Sequence, residues 1–493
     1  MKQSIRQNWQ IVLILFFALI VRVPLLNGSF WLDEAAQVLE SSRPLAQQLS
    51  ISDDFQPPLI HIIVHFLLFF SSNEAWLRLG AALIPGLITI WCVYEIGKQV
   101  KNKSVGVLSA LLLTTSSFHI YFSQELRPYS LPAMCASLTW LLLITLSRSG
   151  KNSKKIWFLF TLLTILGLYS SYIYPFLLLS QSIYIYFFLK KQTKELCISI
   201  FFSFLAFLPW LPSFFSQLHS GQTLRLQLSG WDAVVGTQQA KALALTAGKF
   251  LFGVLSLKNA LPFVLFTLLL LLLIVPILSA VRKRKEVIFL SLWLFVPILT
   301  AWCVSFFVPI LQPKRVLFCL PAFFLLLGIL FSTGLESKSK LLQKSAFIVI
   351  VLFFVMNFYS LFKYYTTPKY QREDWRSLHA EILQKYPASQ SIAVFSFTAP
   401  FAPWVWYDDG KYPTFSTGVL DMQKISDISV LRKVSEYRFV LVFDYLRDLT
   451  DPKNSILSEL QKYGYQEIDE IVPATQIGFV RVFARKKSVI GTL

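Results

Sequence analysis

For most of its length this chain sorts apolar and polar residues into long blocks rather than into a helical or strand period. Apolar runs near 20 residues recur between short polar stretches, and residues 261–280 alone are long enough to cross a bilayer. The blocks predict spanning helices at residues 9–26, 75–97, 105–122, 129–147, 156–170, 172–189, 196–215, 261–280, 287–308, 316–333 and 346–362. The two that meet at Tyr169-Ser170-Ser171-Tyr172 are short for separate crossings. One more apolar piece, 59–70, follows Pro57-Pro58. It holds roughly a dozen residues, too few to span comfortably, which suits a re-entrant or interfacial helix.

After Lys363 the pattern becomes that of a soluble domain. Residues 373–386 predict a helix carrying Trp375, Leu378, Ile382 and Leu383. The runs 392–397, 439–443 and 478–483 read as short strands, and 456–463 as a helix. The expected organisation is an α-helical polytopic membrane domain over 1–362, with 27–74 as an outer loop bearing juxtamembrane helices. A small α/β domain over 363–493 follows, of ordinary domain size. No internal repeat or low-complexity segment is visible.

Composition agrees: 55% of the 493 residues are hydrophobic and only 15% charged, whereas soluble chains run near a quarter charged. The net charge of +19 raises nucleic acid as a partner. However, the basic residues fall mostly in short clusters between apolar runs, a pattern that concerns membrane orientation rather than ligands. Nucleic acid is therefore not an expected partner. The five cysteines lie inside apolar segments without metal spacing and read as small buried hydrophobes. Lys2 and Arg6 precede the first apolar run, no small-residue cleavage site follows, and an uncleaved first span is expected.

Charge also sets the orientation. If 59–70 does not cross, the clusters around Lys98, Lys101 and Lys103, around Arg148 to Lys155, around Lys190 to Lys194, around Arg282 to Lys285 and around Lys338 to Lys344 all fall on one side, together with Lys2 and Arg6. That gives about eleven spans in the plasma (inner) membrane, a cytoplasmic N-terminus and an extracytoplasmic C-terminal domain. The outer side then collects Asp33-Glu34, Pro57-Pro58, His61 and His65, the stretch 124–129, the loop 216–249, and 312–315. Polar clusters from distant parts of the chain share one face, as an active site requires and scattered core polar residues do not.

Asp33-Glu34 stands where the first span gives way to a loop, beside Phe30-Trp31. Taken alone, it reads equally as the acidic first turn of a following helix or as a general base at the interface. Glu125 and Arg127 sit just before the fourth span; they either pin a helix end or give Arg127 a phosphate. Lys314-Arg315 opens the tenth span from outside, against the positive-inside trend, which favours an anionic ligand over snorkelling at headgroups. His61 and His65 lie one helical turn apart, a metal-compatible spacing without a clear third ligand. Asp374 reads as the cap of the helix after it.

With these residues in place, the chain resembles the bacterial members of the dolichyl-phosphate-mannose–protein mannosyltransferase family. These are polyprenyl-phosphate-sugar-dependent glycosyltransferases of the GT-C fold, related to the aminoarabinose transferase that modifies lipid A. The resemblance rests on Trp31-Leu-Asp-Glu34, Pro57-Pro-Leu59 with His65, Leu77-Arg-Leu79, the stretch 116–129, Pro313-Lys-Arg315 leading to Leu320-Pro321, and Arg372-Glu-Asp-Trp-Arg376. It implies a GT-C-like membrane domain in which Asp33 is the catalytic carboxylate and Glu34 its companion. It also implies that Arg127 and Arg315 belong to the donor site; Lys314 is a further candidate for the donor phosphate, and His65, Glu125 and Tyr129 are candidates for binding substrate or supporting the site. The chain departs from relatives at Val316, where an aromatic is common, and at Gln56, where some carry a basic residue or histidine.

The expected reaction is inverting transfer of a sugar from a polyprenyl-phosphate donor to a protein, lipid or glycan acceptor at the outer face, with Asp33 as general base. Membrane lipids complete the partners. A divalent metal ion is compatible with Glu34 beside Asp33, but the sequence leaves metal and other cofactors unassigned. The alternative is a transporter or flippase of lipid-linked sugars. The one-sided polar clusters and absent repeat count against it.

Overall fold

The computed structural model describes residues 2–51, 54–150, 153–227, 239–257, 260–281, 285–418, 434–473, 475 and 478–485. Contacts divide the chain into two compact units. One comprises Met1–Asn27, Arg43–Gln217 and Gly236–Tyr370; the other comprises Gly28–Ser42, Leu218–Val235 and Gln371–Leu493. The stretch that carries Asp33 thus belongs to the same unit as the C-terminal residues.

The first unit is helical wherever it is regular among the described residues. Among the described residues, six helices are long and apolar enough to cross a membrane: Glu74–Val100, Ser130–Ser149, Lys190–Leu224, Glu286–Val304, Leu317–Leu335 and Lys340–Thr366. A seventh crossing results if Lys103–Thr115 and Ser117–Ser123, bent by 67° at their junction, count together. Large apolar side chains such as Phe158, Phe201, Leu272 and Phe347 lie exposed, as on the lipid-facing side of a membrane helix. These are the helices of a multi-pass membrane protein. Among the described residues, length and composition alone give six or seven of the eleven crossings that the apolar blocks predict. Lys154–Leu168 and Tyr174–Phe188 hold 15 residues each, split by the turn at Tyr169–Ile173. At 1.5 Å per residue each covers about 22 Å of a hydrocarbon core near 30 Å. Leu59–Leu68 is a ten-residue helix, as short as its sequence implies.

Local chemistry explains several joints. Asn102 caps Lys103–Thr115 by accepting from the Val105 amide at 3.0 Å. The preceding helix packs tightly against it, because a Cβ on Gly97 would stand 2.8 Å from the Gly106 Cα. At the bend, the freed Thr114 carbonyl accepts from the buried Arg22 guanidinium at 3.2 Å, and Arg22 also meets His119 Nδ1 at 2.8 Å. One end of the unit joins Lys101 to Glu336 at 2.7 Å and Arg148 to the Gln99 carbonyl. Another set joins the Leu59 amide to the Tyr169 carbonyl at 2.9 Å, and Gln217 to the carbonyls of Ile51 and Gln56. The groups assigned from sequence to opposite membrane faces therefore do not mix in these contacts.

Two expectations change. Residues 216–249 are not simply a loop: Leu211–Gln227 and Gln239–Phe252 are helical, and 228–238 lie outside the described residues. Cys92, Cys135 and Cys319 are buried, but Cys197 and Cys303 lie exposed on apolar helices, where a small apolar side chain suits lipid equally well.

Among its described residues the second unit holds a five-stranded mixed sheet, ordered β2-β1-β3-β5-β4, with β1 Ser391–Phe395, β2 Thr414–Ser416, β3 Phe439–Phe443, β4 Tyr465–Ile471 and β5 Val480–Arg485. β1 runs parallel to β2 and β3, whereas β5 is antiparallel to β3 and β4. Alternation decides which side chains go to each face. Ala393, Phe395, Leu441, Phe443, Val480 and Val482 pack with Trp375, Leu378 and Trp404 from the helices Trp375–Lys385 and Ala402–Asp408. Ile392, Val394, Val440, Val442 and Phe483 meet Ile456 and Leu460 of Ser455–Lys462 on the opposite face.

Candidate active site

In the membrane unit the chain between Ser117–Ser123 and Ser130–Ser149 turns sharply and presents Arg127. Its guanidinium is mostly buried and forks onto Asp54, with Nη1 to Oδ2 and Nη2 to Oδ1 both at 3.3 Å. Two further side chains hold Asp54. His61 Nε2 lies 3.2 Å from Oδ2, and Gln56 Nε2 donates to the same oxygen. Burial disfavours the carboxylate, but the Arg127 charge and the His61 hydrogen bond outweigh it and hold Asp54 at about 2.

Arg315, from the link before helix Leu320–Leu335, donates to the carbonyls of Pro309 at 3.4 Å and Ile310 at 3.3 Å. Burial lowers its pKa, the Tyr129 hydroxyl offsets this in part, and the neighbouring Arg127 charge lowers it further. Lys314 Nζ stands 5.5 Å from the centre of the Tyr129 ring. Arg127, Tyr129, Lys314 and Arg315, distant in sequence, therefore assemble in one neighbourhood of the unit. Glu125 is buried beside them in the chain. His65 lies elsewhere on its helix, packing edge-on against Phe66 and Phe69 at 5.7 and 5.1 Å, whereas His61 is fully buried.

In the second unit, Asp33 and Glu34 occupy the first turn of the helix Leu32–Ser41, where the macrodipole favours acids. Glu34 is buried and Asp33 partly exposed. Trp31 at the cap position offers no side-chain hydrogen bond. The Leu32 amide instead donates to Glu373 Oε2 at 3.3 Å. Trp375 Nε1 donates to the same oxygen at 2.7 Å, and the Tyr445 hydroxyl donates to Oε1 at 2.6 Å. Burial raises the Glu373 carboxyl, those three hydrogen bonds pull it back in part, and the Asp33 charge nearby raises it further. Tyr445 is pushed far above the phenol range by burial and then by Glu373. Asp374 caps Trp375–Lys385 through the Ser377 amide at 3.2 Å, the structural part its sequence suggested.

Sequence reasoning did not single out Asp54, Gln56 as a ligand of Asp54, or Glu373, and it weighed His61 below His65. The pair Asp53-Asp54 ahead of Pro57-Pro58, on the expected outer side, was the available signal for the first of these. Among the described residues, no three His, Cys, Asp or Glu side chains gather as a metal-binding group.

Residues 56–213 match the dolichyl-phosphate-mannose-protein mannosyltransferase family. No curated protein matches the sequence. Among solved structures, apo ArnT from Cupriavidus metallidurans superposes with a TM-score of 0.58 at 11% identity, over 99% of this chain and 100% of that one. ArnT bound to undecaprenyl phosphate gives 0.58 at 12%, over 98% and 99%. The oligosaccharyltransferase AglB from Archaeoglobus fulgidus, in complex with an inhibitory peptide and a dolichol-phosphate, gives 0.54 at 12%, over 99% of this chain and 75% of that one. At such identities the likeness is one of fold, and that fold is GT-C.

Proposed function

From the GT-C fold and the mannosyltransferase-family segment within it, we propose that this membrane protein transfers a sugar from a polyprenyl-phosphate donor to an acceptor hydroxyl. The observation that carries the proposal is the convergence of Arg127, Lys314 and Arg315 around Tyr129. Fixed, partly desolvated cations suit a phosphate whose charge grows as the sugar leaves. ArnT with undecaprenyl phosphate and AglB with dolichol-phosphate supply the class of lipid.

The acceptor hydroxyl attacks the anomeric carbon while Asp33 takes its proton. The bond from that carbon to the phosphate oxygen breaks with inversion, and polyprenyl phosphate departs toward Arg127 and Arg315. Glu34, buried one residue on, orients the turn that carries Asp33. The chain crosses the plasma membrane about eleven times in this reading, with the second unit outside.

The test is release of free polyprenyl phosphate by purified protein in lipid, offered a panel of polyprenyl-phosphate sugars and an acceptor extract. Asp33→Asn should lower kcat by about a thousandfold, within the range for a lost general base. Full activity in that variant refutes Asp33 as the base. Movement of the lipid-linked sugar between leaflets without release would make the protein a transporter.

A further inference from the structure

We infer that Glu373 is a positioning residue: its carboxylate, held by Tyr445 and Trp375, caps the helix that carries Asp33 and fixes where the Asp33 carboxylate stands. The inference rests on the reading of Asp33 as the base. A helix leaves its first amides without intrahelical partners, and a neighbouring side-chain oxygen usually supplies one. Trp31 has no oxygen to offer, and Glu373 comes from 341 positions along the chain to accept from Leu32.

Its surroundings leave the carboxylate little freedom. Both oxygens are engaged, Oε1 by the Tyr445 hydroxyl and Oε2 by Trp375 Nε1 and Leu32. Trp375 and Phe401 belong to one apolar cluster, and the Tyr445 and Leu32 side chains pack against it. Burying a carboxylate is costly, and here the compensating donors place it at the end of a helix where its charge is favourable.

Neighbouring contacts hold the same stretch. The Arg376 amide donates to Ser29 Oγ at 3.1 Å, and the Phe30 amide donates to the Tyr407 hydroxyl at 2.7 Å. Residues 29 to 32 are thus fastened in succession to 373–376 and to the helix Ala402–Asp408. The sheet side of the C-terminal unit serves as the jig for the acidic turn. An acid that merely stabilised the sheet would not need to face Leu32.

Hydrogen exchange and steady-state kinetics on the full-length protein in lipid test this together. Glu373→Ala should speed exchange of the amides in Leu32–Ser41 while β1 and β3 stay protected. The same variant should lower kcat by about a hundredfold, as small misplacements of reacting groups do, with donor KM little changed. Glu373→Gln should restore both, because its carbonyl can accept from Leu32 and Trp375 while its amide donates to the Tyr445 oxygen. Unchanged exchange over 32–41 in the alanine variant overturns the inference. So does faster exchange throughout the unit, or a glutamine variant as impaired as alanine, which would assign the effect to charge. Asp33→Asn separates the two readings. If it stays active while Glu373→Ala loosens the helix, the base assignment fails and the cap remains.

Discussion

Replacing Asp54 by asparagine should destabilise the membrane unit by about 2 kcal/mol at neutral pH, and the loss should vanish in acid. The magnitude follows from the carboxyl's fall from 3.8 to about 2, at about 1.4 kcal/mol per unit. The folded value lies below the unfolded one, so the contribution is complete above about pH 4 and is lost as pH falls toward 2. Between pH 5 and 8 the gap between wild type and Asp54→Asn should therefore be flat. Below pH 4 it should narrow, since the unfolded carboxyl then takes up a proton that the Arg127-paired carboxylate of the folded state accepts only near pH 2. Thermal unfolding of the protein in detergent, scanned from pH 7 to pH 2.5, reads this as a Tm difference of a few degrees that shrinks with acid. A cycle with Arg127→Gln should show coupling, because the pair shares two hydrogen bonds. A gap that persists unchanged to pH 2.5, or strictly additive single and double variants, would refute the assignment of the shift to this ion pair.

Arg127→Ala and Arg315→Ala should each lower kcat/KM for polyprenyl-phosphate release by about a hundredfold, the scale of one lost transition-state donor. Near-normal turnover in either would remove that residue from the donor site. Gly167→Ala should lower Tm, because its Cβ would stand 2.2 Å from the buried Tyr174 ring and overpacking costs about 1–3 kcal/mol. An unchanged Tm would show that the ring can move aside. Asp451→Ala should destabilise the helix Ser455–Lys462 by about 1 kcal/mol. Asp451 accepts from the Ser455 amide at 2.8 Å and the Ile456 amide at 3.1 Å, and faster exchange confined to that helix would report the loss.

The sequence revealed most where a residue's neighbours in the chain determine its place. Apolar runs marked the long helices; β1 and β3 were legible because both their faces are apolar, and β5 because Val480, Val482 and Phe483 stand close together. β4 was not: Glu467 and Glu470 face solvent on an edge strand and broke the pattern. β2 is three residues long and leaves too little pattern to read. The grouping of Arg127 with Arg315 followed from placing both on one membrane face, an argument about sides rather than contacts. Asp54 escaped because an acidic residue in a polar loop looks like an ordinary solvated turn. His61 was ranked below His65 although it is the buried one, since apolar residues surround both on Leu59–Leu68 and hide which face is inside. Glu373 was overshadowed by Asp374, whose capping of the next helix is local and therefore visible.

The allocation of Gly28–Ser42 to the C-terminal unit has an evolutionary consequence. A lineage that acquired a different C-terminal domain by joining a new segment after Tyr370 would leave Ser29, Phe30 and Leu32 without their partners. Such an exchange succeeds only if the acidic turn changes hands along with the domain. Homologues should therefore vary residues 28–42 in step with 371–485, so that two stretches far apart in the gene are inherited as one part.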